Sequence, residues 1–286
     1  MEIGIQLLIS GLITGSLYGL IAMGFNFLYA PSKVFNIAHG SLIPIGGYLT
    51  LLLMQTGFPF FVSALLAIVG SGLCGILMDR CVYLPLRKRK ASGLVLLIAS
   101  LGMFTALQAL LELVFTSRYQ SIPTPYQDQI FSIGGATITT TQICIIGTSL
   151  FTLIVLTSIL RYTNFGKKLR AVADDAEVSR IVGIDTERVI FIAFFIGSAL
   201  AGLAGILIGL DIGLEPQMGL YSFLGAVVGA IIGTVGNVAG GLFGSLLTGF
   251  TENIGVWFLA GEWRSAIAYG LLILILLFRP QGLCKR

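Results

Sequence analysis

Charged residues divide the chain into long apolar runs. No Asp, Glu, Lys or Arg occurs within 5–29, 60–78, 94–111, 143–160, 189–210 or 265–278. At about 1.5 Å per residue, a run near or above about 18 residues reaches across a hydrocarbon core of about 30 Å. Three further apolar stretches, 40–54, 221–235 and 241–259, complete the pattern. The predicted fold is therefore an all-α integral membrane protein, a polytopic bundle of about eight to ten membrane segments. Of these, 40–54 and 221–235 are short for full spans, as half-helices or tilted segments would be. Small residues punctuate two stretches, "GSALAGLAG" (197–205) and "GGLFGSLLTG" (240–249), which suits helices that cross closely in lipid.

Composition agrees and adds orientation. Only 10% of the 286 residues are charged, against about 25% in a typical soluble domain. The first run lacks a basic start and a cleavage site of signal-peptide type, and is expected to remain as a mature helix. Lys and Arg concentrate in three clusters: Arg80 with Arg87, Lys88, Arg89 and Lys90; Arg161, Lys167, Lys168, Arg170, Arg180 and Arg188; and Arg279, Lys285 and Arg286. An even number of spans separates each pair, so all three can face the cytoplasm together with Lys33. Only Arg118 and Arg264 then lie outside, with the amino terminus, and the carboxy terminus is cytoplasmic. The chain reads as one membrane domain, 1–286, with cytoplasmic loops at 80–93 and 161–188, a cytoplasmic tail at 279–286 and an outer loop at 117–142. In that outer loop Pro123, Pro125, Gly134 and Gly135 break the apolar pattern, and "FSIGGATIT" predicts a hairpin about its two glycines. Cys74, Cys81, Cys144 and Cys284 have no paired or metal-ligand spacing, so no cofactor or metal is expected. The surrounding partner is membrane lipid, and nothing calls for nucleic acid.

The loop "KKLRAVADDAEVSRIVGIDTER" (167–188) is polar where its surroundings are apolar. Asp174 followed by Glu177 has the spacing of a capping box with Asp in the hydroxyl position. Val178, Ile181 and Val182 form an apolar stripe, Gly183 fits a left-handed helix stop over which Ile184 can fold, and Asp185 fits the N-cap of the following helix. These signals predict a helix of about two turns, too short to stand alone. It is either a connector lying on its own bundle or a docking knob for a cytoplasmic partner.

Candidate pathway residues are few. Asn36, His39 and Ser41 precede Pro44, Gly46 and Gly47, as in a broken helix whose free backbone groups line a cavity; a helix-end role for His39 is the alternative. Glu252, flanked by Thr251 and Asn253, is an ionisable group in an apolar run and so a functional candidate, with Asn237 or a polar group of a neighbouring helix as its partner. Glu112 lies near a helix end and can reach the interface. Asp211, Glu215, Glu262 and Arg264 fall on short outer loops where a delivery protein could dock.

Three ordered stretches resemble the inner-membrane permeases of branched-chain amino acid ABC transporters of the LivH type. They are 11–49 with "NIAHG" at Asn36 to Gly40, "LRAVADDAEVSRIVGIDTERV" from Leu169, and 251–283 ending "RPQGL" at Arg279 to Leu283. Val178 and Ser179 stand where the family most often has Ala. The resemblance implies a transport subunit, not an enzyme. A second permease, expected to be a distinct paralogue, would share the pathway. Two ABC ATPase subunits would supply the motor, and a periplasmic substrate-binding protein would deliver the solute. It also implies that Ala171, Asp174, Asp175, Glu177, Val178, Ile181 and Gly183 couple to the ATPase, while the residue pattern itself makes Asn36, His39, Ser41, Asn237, Glu252 and Asn253 the translocation candidates. The chain has no G-x-x-x-x-G-K-(S/T) phosphate loop, consistent with a motor on another polypeptide. A gradient-driven carrier or a channel for a small polar solute such as urea is the rival expectation.

Overall fold

The first apolar run is one helix, α1 (Glu2–Ser32), which opens the chain in the computed structural model. Residues 2–115, 118–123, 130–133 and 135–284 are described. Pro125, Gly134, Lys285 and Arg286 lie outside the described residues. There follow α2 (His39–Gln55) and α3 (Phe60–Met78). α3 continues through a π-helical turn, Asp79–Tyr83, into α4 (Leu84–Lys88). Then come α5 (Gly93–Phe115), the strands β1 (Ile130–Ile133) and β2 (Ala136–Thr139), and α6 (Thr140–Tyr162). The chain finishes with α7 (Asn164–Asp174), α8 (Ala176–Ile181), α9 (Thr186–Asp211), α10 (Met218–Ile232), α11 (Val238–Phe258), a 3₁₀ turn at Gly261–Trp263 and α12 (Arg264–Phe278).

Each of the nine apolar stretches has become a helix. Six helical segments among the described residues are long and apolar enough to cross a membrane: 3–32, 60–88, 93–115, 140–162, 186–211 and 261–278. The short stretches stay short. α2 has 17 residues and α10 has 15, rising about 26 and 23 Å. The segment 80–93, expected as a loop, is helical as far as Lys88, so the turn itself is only Arg89–Ser92. The hairpin has the expected register, with Ile133 opposite Ala136. It leads directly into α6, where Thr139 and Gln142 exchange the two bonds of a capping box.

Burial sorts these helices into a centre and a rim. α1 and α9 have most of their length buried, as do α2 and α10, whereas α3, α5, α6 and α12 present apolar faces outward. α1 packs most extensively on α11 and then on α9, and α9 also carries α2 and α3. The small-residue stretches lie at these crossings. A Cβ on Gly24 would stand 2.7 Å from the Gly197 carbonyl oxygen, and one on Gly197 would stand 2.6 Å from that of Gly24. α1 and α9 therefore touch backbone to backbone, a contact that only glycine at both positions allows.

The described residues of the basic clusters gather at one end. Lys88 pairs with Glu187 at 3.7 Å, joining the first cluster to the second. Lys33 Nζ donates to the Ala173 carbonyl at 2.6 Å. The Leu283 amide donates to the Ile232 carbonyl at 2.8 Å, holding the last described turn beneath α10. The opposite, distal end gathers the chain around Gln120, β2 and Leu214. There Gln120 and Leu214 exchange backbone bonds of 3.1 and 2.7 Å, the Gln6 side chain bonds the backbone of Thr137 in β2, and Gln142 Nε2 donates to Asp211 at 3.2 Å.

Candidate functional site

α7 and α8 form a bracket at the basic end. α7 buries Leu169, Val172 and Ala173 on one side and keeps its charged residues on the other. It runs through Asp174, which corrects the expected cap. Asp175 is the N-cap of α8, its carboxylate accepting from the amides of Glu177 at 2.8 Å and Val178 at 3.0 Å. The cause is the apolar stripe of α7, which keeps the helix wound one residue further, so that the Asp175 amide still donates to the Ala171 carbonyl at 3.0 Å. Extended backbone, and with it the capping geometry, then falls on Asp175.

The other end of α8 closes as the sequence indicates. Gly183 has φ of +85°, its amide bonds the Arg180 carbonyl at 3.0 Å, and the Ile184 amide reaches back to Ser179 at 2.9 Å. That is the paired-bond arrangement of a Schellman stop. Asp185 caps α9 by accepting from the Arg188 amide at 3.1 Å. Ser179 is the only buried residue of α8. The apolar stripe points away from the bundle, with Val178 54%, Ile181 84% and Val182 69% exposed. Glu177 is exposed beside them, and Ala171 is half-buried at the bend. Such a knob, rigid at both ends and apolar on its free side, is built to be covered.

The break between α1 and α2 is filled by protein. Asn36 is fully buried and its Oδ1 accepts from Tyr83 Oη at 2.6 Å. Ser100 of α5 bonds Phe35 and Ile37, each at 3.2 Å, and Ser41 Oγ donates to the Phe104 carbonyl at 3.3 Å. The freed backbone groups thus find partners on α5 and its neighbours. His39 is the first residue of α2, fully buried between the rings of Phe25 and Phe223 at 6.3 and 6.0 Å. Neither of its ring nitrogens closes a hydrogen bond among the described residues.

Glu252 is buried in the half of α11 nearer the distal end. Its hydrogen-bond partner is Tyr18 of α1, whose Oη donates to Oε2 at 3.1 Å. Asn237 is elsewhere, at the N-terminus of α11, where it caps the Gly240 amide at 3.0 Å. Its carbonyl there accepts from Asn26 Nδ2 at 2.9 Å. Asn253 Nδ2 joins α11 to α1 through Thr14 at 3.2 Å. Glu252 and Tyr18 open onto a cavity of about 400 Å³ at the distal end, which Arg264 also lines. A second cavity of about 660 Å³ lies at the basic end, and Asp174, Asn237, Arg161 and Arg170 share its wall. The candidates therefore form three groups, the α8 knob, the base of α2 and the distal half of α11 with its cavity, while Asn237 stands apart at the basic-end cavity. Glu112 accepts from Gln108 at 3.3 Å and shares a smaller hollow with Glu215. Tyr18 and Asn26 were not among the sequence candidates. Each meets its partner more than 200 positions away, and no local pattern marks either one.

An apolar helical bundle with charged side chains at its cavities and an uncovered apolar knob outside fits a membrane transport subunit. The model of the family described as branched-chain amino acid transport system, permease component, matches residues 7–276, and the chain belongs to that family. It is 32% identical to the "High-affinity branched-chain amino acid transport system permease protein LivH" of Escherichia coli (strain K12), covering 99% of this chain and 96% of that one. It is 33% identical to the protein of the same description, BraD, of Pseudomonas aeruginosa, with the same coverage. In fold it is similar to the solved structure "PsaBC from Streptococcus pneumoniae in complex with Fab". That likeness has a TM-score of 0.50 and 13% identity, and covers 96% of this chain and 91% of the other.

Proposed function

We propose that this chain is one of two permease subunits of an ATP-driven importer for branched-chain or related amino acids in the bacterial inner membrane. The basic end faces the cytoplasm, with the carboxy terminus there and the amino terminus outside, as the Lys and Arg distribution favours. Two separate ATPase subunits grip the chain at α8, and a periplasmic binding protein delivers the solute at the distal end. The second permease is a distinct paralogue.

The observation that carries this reading is the exposed stripe of Val178, Ile181 and Val182 on a helix fixed by Asp175 and Gly183. A connector lying on its own bundle would turn those residues inward. In the importer, closure of the ATPase pair on ATP moves the knob. α7 transmits the motion through Lys33, which donates to its Ala173 carbonyl, toward the base of α2. Ala171, Asp174 and Glu177 complete the coupling surface. Asn36, His39 and Ser41 act as an inner gate, where α2 begins. Asn237, Glu252 and Asn253 serve the route along α11.

Gentle extraction of the tagged chain from its native membrane, followed by mass spectrometry of what co-purifies, tests the assembly. Recovery of an ATPase and a second permease is the expected result. A homo-oligomer free of both would overturn it and return weight to a gradient-driven carrier or channel.

A further inference from the structure

The distal cavity has a lining that the helical framework does not need. Its volume of about 400 Å³ lies within the range of about 300–1,000 Å³ usual for small-molecule sites. Glu252 is 2% exposed, yet it has one hydrogen-bond donor, Tyr18, and its other oxygen has no partner among the described residues. A carboxylate buried in an apolar bundle with one donor is costly unless something else neutralises it. Arg264, at the start of α12, lines the same cavity and makes no ion pair within 4.0 Å among the described residues. Leu17, Ile208 and Leu224 add aliphatic surface to the same lining. A negative group, a positive group and an apolar wall therefore surround one space.

We propose that this cavity, lined by residues of a single subunit, is a binding site for a zwitterionic α-amino acid with an aliphatic side chain. Its ammonium group sits on Glu252, its carboxylate on Arg264, and its side chain against Leu17, Ile208 and Leu224. The proposal rests on the importer reading and adds to it a resting place for the solute after release from the binding protein. Two more carboxylates border the space. Asp211 is engaged by Gln142 at 3.2 Å, and Glu262 is exposed beside the 3₁₀ turn. Both draw the ammonium end inward, and Arg264 makes a free carboxylate necessary for full affinity.

Protection from alkylation tests it in the assembled complex, reconstituted in lipid without the binding protein. Ser222→Cys, on the cavity wall, supplies the thiol in a chain whose four native cysteines are replaced by serine. Leucine should slow alkylation, and isoamylamine and isocaproate, which each lack one charged group, should protect poorly. Glu252→Gln and Arg264→Gln should each raise the leucine concentration needed for half-protection about tenfold or more. Arg264 is exposed, so its variant keeps the test open even if Glu252→Gln assembles badly. Equal protection by isoamylamine and leucine would overturn the zwitterion site in favour of a simple cation pocket. Absence of protection by leucine, or a thiol that never reacts, would also overturn it. Loss of the ATPase subunits on purification would instead count against the importer assembly, so the two failures are distinguishable.

Discussion

Replacing Ile181 by Ala should weaken the grip of the ATPase without weakening the permease. Ile181 is 84% exposed, and its side chain touches little of its own subunit. The substitution removes three carbons, each worth about 0.8 kcal/mol when buried, so that a partner covering the knob loses about 2 kcal/mol. That corresponds to roughly a thirtyfold rise in Kd, with incomplete coverage lowering it toward tenfold. The permease itself should change by no more than about 0.5 kcal/mol, as is usual for exposed positions. Titrating the labelled ATPase onto the purified permease pair measures the first effect. Thermal unfolding in detergent measures the second, and ATP-driven uptake in proteoliposomes should fall with the affinity. Unchanged affinity and uptake in Ile181→Ala, and again in a chain with Val178 and Val182 also changed to Ala, would refute the docking argument.

Three other outcomes follow from the same geometry. Asp175→Ala should remove the α8 cap at a cost of about 1 kcal/mol and speed hydrogen exchange at the Glu177 and Val178 amides, whereas Asp174→Ala should leave both protected. Gly183→Val should cost about 1–2 kcal/mol through its left-handed backbone alone, since nothing lies within 4 Å of a Cβ there. Uptake in that variant should drop while ATPase activity of the complex persists. Asn26→Leu should leave the Gly236 amide without the side chain that holds it at 2.9 Å, and should take one of two donors from the Asn237 carbonyl, which keeps the Gly241 amide at 2.9 Å. The expected loss is about 1–3 kcal/mol, chiefly from the Gly236 amide, read as a lower unfolding midpoint with membrane insertion intact.

The local elements were legible because their causes are local. Apolar runs fixed the nine long helices, paired glycines the hairpin, and Gly183 with Ile184 the stop of α8. The cap went one residue astray because the spacing to Glu177 favours Asp174, whereas either of two adjacent Asp residues can serve as an N-cap. Which one caps depends on how far α7 stays wound, and burial of Leu169, Val172 and Ala173 against the bundle decides that. The direction of the Val178 stripe was likewise open. Periodicity shows that three apolar residues share a face, and only the placement of α8 through Ser179 determines that the face looks outward.

By itself the sequence determined the membrane class and which stretches become helices, six of them among the described residues long and apolar enough to span. Lipid solvation acts on each segment separately and therefore leaves its mark in composition and run length. The tertiary structure alone decided that Glu252 meets Tyr18 and shares a cavity with Arg264, and that Asn237 turns instead to Asn26 and Gly240. It also decided which glycines meet, since Gly24 and Gly197 become partners only when α1 and α9 cross. Those pairings depend on helix rotation and crossing point. Both are set by the mutual fit of side chains far apart in the chain, and no window of neighbouring residues contains that information.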